Sequence, residues 1–120
     1  MSNLKSLTLG AIAFAFASSF GAAADTVRTD AVNVEAMLVH DTEFGGCMAR
    51  LSVDLRQLPG STCGEWVSMD CKGDFLDPDT SARMFEAVQI AYLTNRQLRV
   101  EIDQTRRHNG HCVAKRIDIY

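Results

Sequence analysis

This sequence predicts a mainly β domain with one helix and two disulfides, on three observations. Short runs of alternating apolar and polar residues recur along the chain, as half-buried strands require. One stretch, Ala82 to Tyr92, replaces that alternation with helical spacing. Four cysteines, Cys47, Cys63, Cys71 and Cys112, all follow an apolar leader, and an even count in a small exported domain reads as two bridges.

Residues 1–24 read as a signal peptide. Lys5 supplies the positive end, Leu7 to Phe20 the apolar run, and Ala22, Ala23 and Ala24 the small residues before a cut at Asp25. That run is shorter than the roughly 20 residues a membrane span needs. No span is expected after its removal, and the protein is expected to be periplasmic or secreted. The remaining 25–120 form the domain; losing Lys5 and no acid moves the formal charge from −3 to −4. Such acidity argues against nucleic-acid binding, which needs a basic footprint.

Asp25 to Asp30 reads as a loose polar leader to the domain. Val32 to Val39 is the first strand, with Val32, Val34, Ala36 and Leu38 on one side. His40 to Gly46 is a turn, its paired glycines free to take positive φ. Cys47 to Leu55 is the second strand: Cys47, Ala49, Leu51, Val53 and Leu55 share the core face. A Pro59-Gly60 turn leads to the third strand, Glu65 to Cys71, with Val67, Met69 and Cys71 inward and Trp66, Ser68 and Asp70 outward. An antiparallel hairpin turning near Pro59 sets Leu51 against Val67, Ala49 against Met69 and Cys47 against Cys71. Four cysteines allow three connectivities. This register favours Cys47–Cys71, which leaves Cys63–Cys112.

The helix is expected from Pro78 to Asn95. Asp77 is the N-cap, Pro78 the first helical residue, and Asp79 complements the positive end of the dipole. Met84, Phe85, Val88, Ala91 and Tyr92 form the buried face, and Ile90 and Leu93 lie on the back. Those two read either as scattered exposed apolars or as a contact surface for a partner subunit. Gln97 to Asp103 is the fourth strand, with Leu98, Val100 and Ile102 inward; Thr105 to Gly110 is a polar turn with an Asn-Gly signal. His111 to Tyr120 is the fifth, with Val113, Ile117 and Ile119 inward and Lys115 marking a bulge or a solvent-facing start.

The order β-β-β-α-β-β matches the OB-fold, a five-stranded Greek-key barrel. Its third and fifth strands run side by side, which suits a Cys63–Cys112 bridge. The helix would plug one end of the barrel.

The layout from Cys47 through Cys71 to Tyr92, followed by Gln97-Leu98-Arg99-Val100, resembles the B subunits of subtilase-cytotoxin-like and pertussis-like bacterial toxins. The resemblance implies an exported OB-fold chain that forms homo-oligomeric rings, binds a host glycan and travels with a separate catalytic subunit. In those B subunits a serine near the first strand holds the sialic acid carboxylate. The matching stretch here, Val32 to Leu38, has no serine and carries Glu35, which repels an anionic sugar. The closing Arg106 to Cys112 and Arg116 to Tyr120 look more like small exported proteobacterial proteins of the same layout.

Candidate chemistry is sparse. Arg99, Arg106, Arg107 and Arg116, with Lys115 and Trp66, are the candidate ligand residues for an anionic glycan or, less favoured, an oligonucleotide, for which stacking aromatics are sparse, Trp66 and Tyr120 being the main ones. His108, His111 and Cys112, with His40, have metal-ligand chemistry, but an oxidised Cys112 is no thiolate ligand and the histidines read as exposed turn residues, so no metal or other cofactor is expected. Asp70, Asp74, Asp77 and Asp79 lack calcium-loop spacing. The cysteines do not form Cys-x-x-Cys. No nucleophile-elbow, P-loop, dinucleotide or zinc-protease motif occurs, so the chain is not expected to be an enzyme. The expected function is an exported, disulfide-stapled OB-fold binding module, read as a toxin-B-subunit-like glycan-binding oligomer, with a monomeric periplasmic accessory protein as the alternative and an oligonucleotide-binding OB domain as the less favoured one.

Overall fold

The structure is a computed structural model that describes residues 12–13 and 25–120. The leader expected over 1–24, Ile12 and Ala13 apart, lies outside the described residues. Six strands and one α-helix follow in order: β1 Thr26–Arg28, β2 Val34–Val39, β3 Cys47–Leu51, β4 Trp66–Ser68, α1 Pro78–Thr94, β5 Leu98–His108 and β6 His111–Ile119. Short 3-10 turns occupy Phe44–Gly46 and Leu55–Gln57. The strands form one sheet in the order β1-β5-β6-β4-β3-β2. Neighbours are antiparallel except β4 and β6, which are parallel.

The segment expected to be a loose leader contains β1. Val27 buries its side chain, and Thr29 is buried with it. The Thr29 hydroxyl accepts from the Val100 N–H at 3.0 Å, and its N–H donates to the Val100 carbonyl at 3.0 Å. One valine among polar residues is too little to show a period, so tertiary pairing decides this strand. Just beyond it, Val32 and Leu98 exchange backbone hydrogen bonds of 2.8 and 2.9 Å. Residues 26–39 thus pair with β5 through their first half and with β3 through their second.

The hairpin register differs from the expected one. Ala49 opposes Val67, not Met69, and Met48 opposes Ser68. The shift is two residues, so Val67 and Met69 keep their core-facing side and are fully buried. Cys47 then lies opposite Met69, whose N–H donates to the Cys47 carbonyl at 3.1 Å. The disulfide Cys47–Cys71 still forms, with Cα atoms 5.6 Å apart. Asp70 takes a left-handed φ of 55°, which turns the chain back and returns Cys71 to Cys47. The second disulfide, Cys63–Cys112, has its Cα atoms 5.5 Å apart.

Two strands are shorter than expected and one is longer. β3 stops at Leu51, where Ser52 donates its N–H to the Asn33 carbonyl and Asp54 caps the 3-10 turn that buries Leu55. β4 is only Trp66–Ser68. β5 runs on through the expected turn to His108. Only Asn109 and Gly110 turn, with φ of 51° and 84°, the two positive values that a tight hairpin requires. Lys115 is the extra residue between the pairs Glu101–Arg116 and Ile102–Ala114, a bulge in β6. Ile119, expected inward, is partly exposed near the chain end.

Helix α1 has Asp77 as N-cap, accepting from the Thr80 N–H, and Asn95 as a left-handed C-cap. Ser81, Met84, Val88 and Ala91 are its buried residues. Phe85 is half-buried against the core, and Tyr92, expected inward, is 45% exposed. At about 100° per residue, Tyr92 has already rotated off the face that Ala91 defines.

Candidate functional site

Two places concentrate chemistry. The first is a node between the turn after β4 and the end of β5. Asp70 is fully buried, although alternation predicts it outward. Its Oδ2 accepts from the Phe75 and Leu76 N–H groups at 2.9 and 2.7 Å, and its Oδ1 from the Asp74 N–H at 3.1 Å. His108 Nε2 lies 2.7 Å from the same Oδ1. Burial alone would raise the Asp70 pKa; the N–H groups of Leu76 and Phe75, the His108 ring and the Asp74 N–H outweigh it and hold the carboxyl below its usual value.

The surroundings fix the imidazole. Phe75 tilts over the ring at 4.9 Å between centroids. A Cβ on Gly45 would come within 2.5 Å of His108 Cδ2 and of Ser68 Oγ, so only glycine fits there. Ser68 is fully buried, also against expectation; its hydroxyl donates to the Phe44 carbonyl and accepts from the Asp70 N–H. It is therefore engaged with the backbone rather than poised as a nucleophile. Asp74 Oδ2 approaches His108 Nδ1 to 3.8 Å from the open side. The residue types along Asp70 to Leu76 hold the missed signal. An aspartate ahead of a glycine turn is a ready acceptor for the N–H groups that follow it.

The second place is the back of α1. Ile90, Tyr92 and Leu93 are exposed, and Leu93 is 79% so. Together with Met37 of β2, Glu86 and Gln89 they line an open depression. Sequence singled out Ile90 and Leu93. It gives no sign of Met37, whose strand carries a register irregularity between Val34 and Ala36, or of Tyr92, which helical spacing places in the core.

Each of the four candidate arginines has contacts within the chain. Arg106 pairs with Asp103 at 3.4 Å, donates to the Phe75 carbonyl and lies 5.9 Å from the Phe75 ring. Arg107 donates to the Thr62 and Gly110 carbonyls. Arg116 donates to Asp118 at 3.0 Å, and Arg99 lies over Tyr120. Trp66 sits elsewhere, beside Arg50. All four cysteines are bonded in the two disulfides. No helix among the described residues is long and apolar enough to cross a membrane.

Comparison of the chain with protein-family models, with curated proteins and with solved structures finds no match.

Proposed function

We propose that the chain is an exported OB-fold module that works by binding rather than catalysis and assembles with copies of itself through the back of α1. The OB reading is supported by the strand order, by the parallel contact of β4 with β6, by the helix between β4 and β5, and by the Val32–Leu98 bridge that reaches from the β2 side to β5. Two disulfides are compatible with export.

The observation that carries the assembly reading is the joint exposure of Ile90, Tyr92 and Leu93 beside Met37. Scattered apolars are ordinary on a surface, whereas neighbouring ones on a helix and an adjacent strand mark a contact face. A glycan ligand has weaker support, because Arg106, Arg107 and Arg116, three of the four arginines that would hold an anionic sugar, already have hydrogen-bonding partners within the chain. Light scattering on the exported protein tests the reading: wild type is expected as a multimer that Leu93→Asp reduces to monomer. A monomeric wild type at high micromolar concentration would overturn it. For the sugar, glycan-array binding that Trp66→Ala or Arg99→Ala abolishes is the corresponding readout.

A further inference from the structure

We propose that His108 and Asp74 form a weak site for a divalent transition metal of the zinc type, with Asp70 as the residue that orients the imidazole. Asp70, Asp74 and His108 bring ligand-type atoms within 4.8 Å of one another. Their roles differ. Both Asp70 oxygens are engaged by backbone N–H groups, and Oδ1 also meets His108 Nε2 at 2.7 Å. This carboxylate is committed as an acceptor, so the ring nitrogen facing it carries the proton. In the neutral form of the ring the lone pair is then on Nδ1, the nitrogen 3.8 Å from Asp74 Oδ2.

That leaves two acceptors facing each other. Nδ1 and Asp74 Oδ2 are 3.8 Å apart, beyond hydrogen-bond distance. Bonds of about 2.0–2.2 Å from one ion to a histidine nitrogen and a carboxylate oxygen span such a gap at an open angle. A small swing of the Asp74 side chain, which is half exposed, narrows that angle toward tetrahedral. Its exposure also lets water complete the coordination. A ligating histidine that donates its other ring N–H to a buried carboxylate is the usual arrangement behind metal sites, and the carboxylate fixes both tautomer and ring orientation. Imidazole with carboxylate suits zinc, copper or nickel rather than calcium or magnesium. Among the charged groups nearby, the Arg106 guanidinium opposes a cation, but it is paired with Asp103.

The test is a zinc titration of the exported protein by calorimetry at neutral pH, with the His108 ring nitrogens followed by NMR. One zinc per chain is expected, with the Nδ1 resonance of His108 shifting on addition. Asp74→Asn keeps the backbone N–H that Asp70 uses, so the fold is retained, and binding is expected to weaken at least tenfold. Zinc binding that Asp74→Asn leaves unchanged would place the metal at other residues and overturn the proposal. The absence of any zinc heat or His108 shift at millimolar zinc would overturn it as well.

Discussion

Asp70 and His108 meet at 2.7 Å across 38 residues of sequence, and the contact joins the turn after β4 to the last residue of β5. Asp70 accepts from three backbone N–H groups as well, so one carboxylate organises the loop that leads into α1. The loop therefore has its internal scaffold in a charged side chain rather than in a ladder of backbone bonds.

Replacing that side chain is expected to be costly. Asp70→Asn substitutes an N–H2 for one acceptor oxygen and removes the charge that strengthens the remaining bonds. Hydrogen bonds to a charged group contribute about 1.5–3 kcal/mol, and a loss of that order is expected. Urea denaturation is expected to show a lower midpoint with an unchanged slope.

Acid is expected to act through the same group. The Asp70 carboxyl has a folded pKa below its ordinary value, so its contribution to stability is present above about pH 4 and is lost as pH falls through the lower folded value. Asp103 adds in the same direction: burial raises its pKa, but the Thr105 hydroxyl and N–H and the Arg106 charge outweigh that and lower it. Denaturation midpoints measured from pH 6 down to pH 2.5 should fall most steeply below pH 4. In Asp70→Asn the fall should be shallower.

Two glycines with nearly equal φ separate backbone strain from steric contact. Gly45 has φ +70° and Gly60 has φ +75°. An added Cβ meets His108 and Ser68 at 2.5 Å in the first case and nothing within 4 Å in the second. Gly60→Ala is expected to cost about 1–2 kcal/mol, the left-handed strain alone. Gly45→Ala should cost clearly more, since His108 or Ser68 must move, and the His108 NMR signals should shift only in that variant.

Helix α1 offers a contrast between its two faces. Val88 is fully buried, and Val88→Ala is expected to destabilise by about 2 kcal/mol, from lost transfer energy and the cavity left behind. Leu93→Asp on the back should change the stability of the isolated chain by no more than about 0.5 kcal/mol. Thermal melts paired with light scattering distinguish the two effects.

Legibility in the sequence followed how local each cause was. The start of α1 was readable because Asp77 and Pro78 act on their immediate neighbours, and an irregularity at Lys115 because it interrupts a local alternation, although the sequence leaves a bulge and a solvent-facing start equally open. β1 was not readable: three residues with one apolar side chain become a strand only when β5 is alongside. Neither was the burial of Asp70 and Ser68, since alternation assigns them to solvent and their burial depends on the Phe44–Gly46 turn and on distant His108. The hairpin register failed for a related reason. A count from Pro59 assumes a tight turn, whereas the chain between β3 and β4 carries a 3-10 turn and a loop of its own. The apolar stretch behind Ile90 and Leu93 was half readable, because helix spacing exposes those two but cannot bring in Met37 from β2.

The positions of the disulfides have a mechanical consequence. β4 is three residues long, pairs with β6 at the single position Ser68–Val113, and sits between the β2–β3 side of the sheet and the β1–β5–β6 side. Cys71 fastens the far end of β4 to β3, and Cys63 fastens the near end to β6. The thinnest seam of the sheet is thus riveted on both flanks. Reduction would leave that seam to the Ser68–Val113 pairing and to side-chain packing, while the Val32–Leu98 bridge and α1 still join the two sides elsewhere.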